Sequence, residues 1–189
     1  MYQFVVDYLK QNFQLSEAFY EHLLTKLHRH EFSRKHFLLS KDKVVDRIWL
    51  VETGFVRAYY LNKGNEITAW FMQEGDFVIS VESFFEQKPS IEFIHLLEDS
   101  VLISITHHDL QELYRLFPEF NLVGRMIVQR YYVQSEKRLV DMRNQTSKAR
   151  YLALLKRWPA LFNRATVKDI ASYIGMKPET LSRLRGQKL

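Results

Sequence analysis

Residues 165–189 have the sequence ATVKDIASYIGMKPETLSRLRGQKL, in which two short apolar-periodic segments flank a glycine. The apolar residues recur at helical spacings and are Val167, Ile170, Ala171 and Ile174 in the first segment, and Leu181 and Leu184 in the second. Pro178 is favoured at the first position of a helix, and Gly175 can adopt the positive φ that a sharp turn between helices needs. The stretch therefore predicts a helix-turn-helix, whose second helix enters the major groove of DNA, rather than two ordinary terminal helices.

Charge is distributed unevenly along the chain. Residues 137–189 contain thirteen Lys or Arg and three Asp or Glu, a local balance of +10. Residues 1–136 contain fourteen basic and nineteen acidic side chains, a balance of −5, so the formal net charge is +5. A basic end on an acidic body favours attraction to the phosphates of double-stranded DNA, although a basic face that is only solvated is the alternative.

The composition narrows the class of protein. A chain of 189 residues, 47% of them hydrophobic, has room for a substantial core and for one large or two small domains. The absence of cysteine excludes disulfides, thiolate zinc sites and cysteine-ligated iron–sulfur clusters. No apolar run is long enough to span a membrane, and the first residues, MYQFVVDYLKQNF, lack the layout of a signal peptide. We therefore expect a cytoplasmic protein that has no membrane partner.

The pattern changes from helical to strand-like near residue 34. Residues 1–33 are predicted to be helical, and Ser16 is predicted to cap a helix whose inner face carries Phe19, Leu23, Leu24 and Leu27. Strands are predicted at residues 37–39, 47–52, 55–61, 66–71, 92–97 and 101–105, with a short helical turn inside residues 80–89. Because turns separate most of these strands, we expect an antiparallel barrel or jelly roll of about seven strands.

Helices follow the predicted barrel, over residues 108–117, 118–144 and 147–161. On the long one, Met126, Val133 and Val140 recur at a spacing of seven and are neighboured by Ile127, Tyr132 and Leu139. This seam is typical of a helix that packs on a partner helix, although packing on its own barrel is the alternative. We expect three parts: an effector-sensing barrel with N-terminal helices (1–117), a central dimerisation helix (118–144) and a helix-turn-helix domain (145–189).

A barrel, a long helix and a helix-turn-helix, in that order along the chain, resemble the Crp–Fnr family of bacterial transcription regulators. Four segments carry the resemblance. DIASYIGMKPETLSRLR (169–185) resembles the family's helix-turn-helix, and VQSEK (133–137) resembles its central helix. EGDFVIS (74–80) is similar to the turn that opens its effector pocket, and LVETGFVRAYYLNKGNEITAWFMQEGDF (50–77) to its barrel. The resemblance implies an α+β fold with a cyclic-nucleotide-binding-like jelly roll. It also implies a homodimer that binds a near-palindromic operator, with RNA polymerase as a further candidate partner.

The resemblance also implies which side chains contact DNA. The family's base-contacting Glu and Arg correspond to Glu179 and Arg183, and these groups can accept from cytosine N4 and donate twice to guanine. Pro178 stands where the family's best-known pattern has another Arg. The side chains expected to contact phosphates are Lys168, Lys177, Thr180, Ser182, Arg185 and Lys188. Because the sequence ends five residues after Leu184, we expect the family's β-hairpin wing to be missing.

The predicted effector pocket lacks the family's phosphate-binding residues. The cAMP-binding members hold the cyclic phosphate with an Arg–Ser pair and the ribose with a Glu, whereas the matching loop here is FVISVESFFEQKPSIEF (77–93). Lys88 is its only basic residue, and a buried phosphate without a cation is costly, so we expect neither cAMP nor cGMP. The candidate pocket residues are Ser80, Glu82, Ser83, Ser90, Gln134 and Ser135. A neutral or cationic small effector and a vestigial pocket both stay open.

Two other classes of protein compete with a DNA-binding regulator. A cupin-like enzyme could use His28 and His30 as metal ligands, but residues two apart on the predicted helix point in different directions. The sequence shows no nucleophile motif, no phosphate-cradling glycine loop and no carboxylate pair, so we expect no catalytic residue, no metal and no enzyme. The second class is a ligand-binding or partner-binding module without specific DNA binding. Measuring duplex binding over a salt series distinguishes a regulator from such a module.

Overall fold

The structure is a computed structural model that describes residues 2–186. Within that range, eight short strands form two antiparallel sheets of four strands each. The strands are β1 (His28–Phe32), β2 (Phe37–Leu39), β3 (Arg47–Thr53), β4 (Val56–Asn62), β5 (Asn65–Met72), β6 (Phe77–Val78), β7 (Glu92–Leu96) and β8 (Ser100–Thr106). Their order is β1-β8-β3-β6 in one sheet and β2-β7-β4-β5 in the other, which confirms the predicted jelly roll.

Two helices precede this barrel, one lies between β6 and β7, and one follows β8. They are α1 (Gln3–Asn12), α2 (Glu17–Lys26), α3 (Val81–Glu86) and α4 (His107–Leu116). Ser16 is the N-cap of α2, as predicted, because its hydroxyl accepts from the Phe19 amide at 3.2 Å. Phe19, Leu96 and Leu113 are fully buried in one hydrophobic cluster that the sheets and these helices share. The barrel and its N-terminal helices therefore have a common core.

Two predictions in this region are wrong. Residues 28–32 form β1 instead of extending a helix, and Leu24, expected on the inner face of α2, is exposed. β1 lies at the edge of its sheet and pairs with β8, some 70 residues later in the chain. Its sequence, HRHEF, carries no apolar alternation, because one face has the exposed Arg29 and Glu31 and the other has two histidines beside Phe32. Only the pairing with β8 makes it a strand, and a local pattern cannot show that.

Within residues 2–186, five further helices follow α4. They are α5 (Phe120–Asn144), α6 (Ser147–Arg157), α7 (Leu161–Arg164), α8 (Val167–Tyr173) and α9 (Pro178–Gly186). The helix predicted over 147–161 ends at Arg157, because Pro159 disfavours helical dihedrals at Trp158. None of the helices within residues 2–186 has both the length and the apolar character that crossing a membrane requires.

A second hydrophobic cluster joins the C-terminal helices to the barrel. Leu161, Ile170 and Leu181 are fully buried in it, together with Phe55 and Phe71 of the barrel. The Phe71 ring lies 5.6 Å from that of Phe55 and 5.2 Å from that of Tyr173 on α8. The three-part division of the chain stays a prediction, and the core of its third part includes two barrel side chains.

Candidate nucleic-acid interface and barrel cavity

Helices α8 and α9 pack through a tight turn. Gly175 has a φ of +64°, as its place between two helices predicted, and a Cβ there would lie 2.5 Å from Met142 Cε. The Met176 amide donates to the Ala171 carbonyl at 2.9 Å, which closes α8. Ala171 is fully buried where the two helices approach each other. The predicted helix-turn-helix geometry is therefore present.

Most of the side chains expected to contact DNA that fall within residues 2–186 are exposed. Glu179 and Arg183 are four residues apart on one face of α9, and both are exposed. Lys168, Lys177, Ser182 and Arg185 are also exposed, whereas Thr180 is half-buried. Lys188 lies outside the described residues. The opposite face of α9 is buried at Leu181 and Leu184, so α9 presents a polar face to solvent and an apolar face to α8.

Several basic residues of the C-terminal part bind within the protein instead of facing solvent. Arg138 donates to the carbonyls of Ala69 and Tyr173, the latter at 3.1 Å, and its guanidinium lies 4.2 Å from the Tyr173 ring centroid. Burial lowers the pKa of Arg138. Arg150 donates to the Ile174 carbonyl at 2.8 Å. The local balance of +10 therefore overstates the charge available to phosphates, since the sequence cannot show which arginines are used internally.

A cavity of about 320 Å³ opens at one end of the barrel. It is lined by residues of β2, the following loop, β3, the segment from β6 to the start of α3, and β7: Phe37, Leu38, Leu39, Ser40, Lys43, Val44, Val45, Asp46, Arg47, Trp49, Val78, Ile79, Ser80 and Ile94. Ser80 is the one predicted pocket residue in this lining. Its hydroxyl forms a buried hydrogen bond of 2.9 Å with that of Ser90. The two serines thus satisfy each other beside the cavity.

The other predicted pocket residues have different surroundings. Ser83 Oγ accepts from the Val45 amide at 3.0 Å and donates to the Lys88 carbonyl, so it holds the loop together. Glu82 is exposed at the start of α3. Gln134 and Ser135 are exposed on α5, and Ser135 donates back to the Tyr131 carbonyl of its own helix at 2.9 Å. The structure therefore does not bring the six residues together around one cavity.

The charges near the cavity were only partly foreseen from the loop sequence. Lys88 is exposed and pairs with Glu86 at 2.6 Å. The cavity receives its basic groups from Lys43 and from Arg47, which binds the neighbouring Asp46 at 2.7 Å. Lys43 lies between β2 and β3, and Arg47 is the first residue of β3, so both are at least 30 positions from the loop that the family pattern highlights. The basic residues of that segment were the sequence signal for these charges.

Glu92 adds a negative group beside the two serines. Burial raises the pKa of Glu92, and the neighbouring Ser80 hydroxyl opposes that shift. Within the described residues, Glu92 takes part in no ion pair. A half-buried carboxylate at this position disfavours an anionic ligand on the Ser80 side of the barrel.

The histidines of β1 differ from the prediction in one respect. On a strand, residues two apart share a face, and the rings of His28 and His30 are 6.4 Å apart. The geometric argument against a shared metal, which assumed a helix, is therefore wrong. His30 forms a 3.1 Å hydrogen bond with Ser104 Oγ, and burial lowers its pKa. Among residues 2–186, no group of three or more His, Cys, Asp or Glu side chains is arranged to hold a metal ion.

The barrel is similar to a known domain family. Residues 29–116 match the family model of the cyclic nucleotide-binding domain. The match runs from β1 to α4, so it covers the jelly roll and the cavity and stops before α5. A search of curated protein sequences gives no significant match.

Solved structures share the fold over most of the chain. FixK2 from Bradyrhizobium japonicum superposes with a TM-score of 0.73 at 17% identity, covering 85% of this chain and 83% of that one. A transcriptional regulator of the Crp/Fnr family from Eubacterium rectale gives a TM-score of 0.70 at 16% identity, with 90% and 82% covered. The c-di-GMP-responsive global regulator CLP of Xanthomonas campestris gives 0.66 at 16% identity, with 89% of each chain covered. The arrangement of barrel, long helix and C-terminal helices is thus shared with regulators of this type.

Proposed function

We propose that this protein is a bacterial, cytoplasmic DNA-binding transcription regulator of the Crp–Fnr type. The observation that carries the proposal is the α8–α9 unit, whose turn at Gly175 and buried Ala171 support the polar, exposed face of α9. The fold shared with Crp/Fnr-type regulators supports the same conclusion. RNA polymerase is the partner that a regulator of this kind would contact on a promoter.

Sequence recognition is assigned to Glu179 and Arg183. Both are exposed on α9, and one helical turn separates them, so they can reach neighbouring base pairs in the major groove. Lys168, Lys177, Ser182 and Arg185 surround this pair with donors that can bind phosphates and fix the register. Thr180 is half-buried and supplies its hydroxyl at the margin of the surface.

A homodimer through α5 completes the proposed mechanism. The exposed apolar side chains of α5 follow the predicted seam and include Met126, Tyr132, Val133, Leu139 and Val140. They are not covered by the barrel of the same chain, which favours a second copy of α5 as their partner. Two recognition helices would then meet half-sites about 34 Å apart on a near-palindromic operator.

The barrel cavity is the proposed site of a small effector other than cAMP or cGMP. Its volume of about 320 Å³ suits a small molecule. By the resemblance, Ser80 and Ser90 fall near the positions from which the family's cAMP-binding members hold the ribose and the phosphate, and here these two serines hydrogen-bond to each other near the half-buried Glu92. An effector would act through different affinities for two arrangements of the DNA-binding part.

Duplex binding over a salt series tests the proposal. Genomic fragments that the purified protein selects should bind with a logarithm of the association constant that falls steeply with the logarithm of salt concentration, because several phosphates per half-site release counterions. Selection should be repeated with and without cyclic nucleotides, which we expect to change nothing. If no duplex binds, or if binding does not depend on salt, the chain is a ligand-binding or partner-binding module instead.

A further inference from the structure

The barrel cavity has an apolar floor. Nine of its fourteen lining residues are apolar, so the lining suits an apolar ligand body better than a sugar or a base edge. The buried apolar residues of the lining, which we call the floor, are Leu39, Val45, Val78 and Ile94. The half-buried Trp49 adds an indole ring, and the Arg47 guanidinium lies 5.6 Å from the centroid of that ring.

Hydrogen bonds hold one wall of the cavity in place. This wall is the segment 40–46 between β2 and β3. The Asp42 amide donates to the Ser90 carbonyl at 2.8 Å, and the Ser90 amide donates to the Lys43 carbonyl at 2.9 Å. Ser83 Oγ accepts from a third amide of the same wall at 3.0 Å. The wall is therefore fixed by its own backbone, which favours a cavity that exists before any ligand binds.

Most of the loop that the family pattern highlights does not contribute to the cavity. Of residues 77–93, only three line it, and all three precede α3. Further along that loop, Phe84 is fully buried, and the Ser90 hydroxyl is bound to that of Ser80. Recognition in the cavity therefore depends mainly on β2, β3 and the segment between them.

The charged groups of the lining leave one positive charge without a partner. They are Lys43, Asp46 and Arg47, two bases and one acid, so their formal net charge is +1. Asp46 accepts from Arg47 with both carboxylate oxygens, at 2.9 and 2.7 Å. Within residues 2–186, Lys43 takes part in no ion pair. Lys43 is therefore the group that complements a negative charge on a ligand.

The acids near the cavity limit how much negative charge a ligand can carry. Glu92 disfavours an anion beside Ser80, but Glu92 is not part of the lining. Asp46 is part of it, and Arg47 already neutralises this acid. One negative charge thus finds a partner in Lys43, whereas the second charge of a phosphate would find none. The loop sequence alone left a neutral or cationic effector open, because it could not show that Lys43 reaches the cavity.

We propose that the barrel cavity binds a monocarboxylic acid with an apolar body, whose carboxylate pairs with Lys43 and whose body lies on the floor. The proposal rests on the proposed function, because it names the chemical class of the effector. A charge-assisted hydrogen bond to Lys43 Nζ fixes the head, and burial of the body on the floor supplies most of the affinity. Phe37 and Val44, which are 47% and 45% exposed, leave the cavity open to solvent at its rim.

Calorimetry on the full chain tests the proposal with four probes of equal chain length: octanoate, octan-1-ol, octylamine and octyl phosphate. The probes share an apolar body and differ in the charge of the head. Octanoate should bind about tenfold more tightly than octan-1-ol, because the carboxylate pairs with Lys43 and the uncharged alcohol does not. Octylamine and octyl phosphate should both bind more weakly than octanoate, since the first has the wrong sign of charge and the second has too much of it.

Two variants separate the head from the body. Lys43→Gln should lower the affinity for octanoate about tenfold and leave the affinity for octan-1-ol unchanged. The matched control is Lys41→Gln, an exposed base of the same segment that does not line the cavity, and it should change neither affinity. Ser40→Phe places a ring in the cavity from an exposed position, so the fold should be kept and the binding of both probes should be lost.

The proposal is overturned if octanoate does not bind, if any other probe binds as tightly, or if Lys43→Gln or Ser40→Phe leaves octanoate binding unchanged. These measurements need no DNA, so they are independent of the test of the proposed function. A protein that binds octanoate and no duplex would lose the regulator function and keep the ligand class. A protein that binds duplex and no octanoate would keep the regulator function and lose the ligand class.

Discussion

Glu74→Gln should destabilise the protein at neutral pH and much less in acid. The Arg164 guanidinium is the main cause that lowers the pKa of Glu74 from 4.5 to about 2, and the backbone amides of Glu74 and Gly54 contribute. A group with a lowered pKa in the folded state stabilises the protein above its unfolded pKa. That contribution is lost as the pH falls from 4.5 towards 2.

The magnitude follows from the size of this shift and from exposure. Each tenfold change in acidity corresponds to about 1.4 kcal/mol, so a fall from 4.5 to about 2 sets a ceiling of about 3 kcal/mol. The Glu74 side chain is 42% exposed, and solvent screens an ion pair of that kind. We therefore expect Glu74→Gln to lower the free energy of unfolding by about 1 kcal/mol at pH 7, and by less than half of that at pH 3.

Urea unfolding of the wild type and the variant at pH 7 and pH 3 measures this difference without adding salt. Glutamine keeps an acceptor for the Gly54 amide, which Glu74 Oε1 binds at 2.9 Å, so the substitution changes mainly the charge. Glu21→Gln, on the exposed side of α2, is the matched control and should change little at either pH. A loss that is equal at both pH values, or absent at pH 7, would refute the ionic explanation.

Three further outcomes are expected. Arg183→Ala should weaken binding to a selected operator by about 1–3 kcal/mol and relax specificity at one base pair, which competition with single-base variants of the operator would measure. An equal loss of affinity for random duplex would instead make Arg183 a phosphate contact. Gly175→Ala should lower the free energy of unfolding, measured in urea, by about 1–2 kcal/mol, because φ is +64° and the new Cβ would lie 2.5 Å from Met142 Cε. Unchanged stability would contradict this packing. Val133→Glu places a charge in the exposed seam of α5 and should shift the mass measured by sedimentation towards that of a monomer, whereas the control Glu136→Gln on the same helix should leave that mass unchanged. A dimer that survives Val133→Glu would place the interface elsewhere.

Much of the fold was predictable because its signals are local. The strands β2, β3, β4, β5, β7 and β8 were expected within one residue at each end, since each carries apolar or β-branched residues between turn residues. β6 was missed because it has two residues, and β1 was missed because an edge strand of polar residues shows no period. The chemistry of the barrel site was less predictable. Lys43 and Arg47 reach the cavity from a segment that is remote in sequence from Ser80.

The sequence alone determined the helix-turn-helix and the polar face of α9. The apolar spacing, Pro178 and Gly175 all act within about two helical turns, so short-range sterics and hydrogen bonds suffice to specify them. The tertiary structure decided what each charge does. Arg183 and Arg164 are the same residue type, yet one faces solvent, and the other binds Glu74 and Glu98 at separations of 90 and 66 positions. Pairing over such distances depends on how the sheets close and where α8 meets β5, and no local pattern records that.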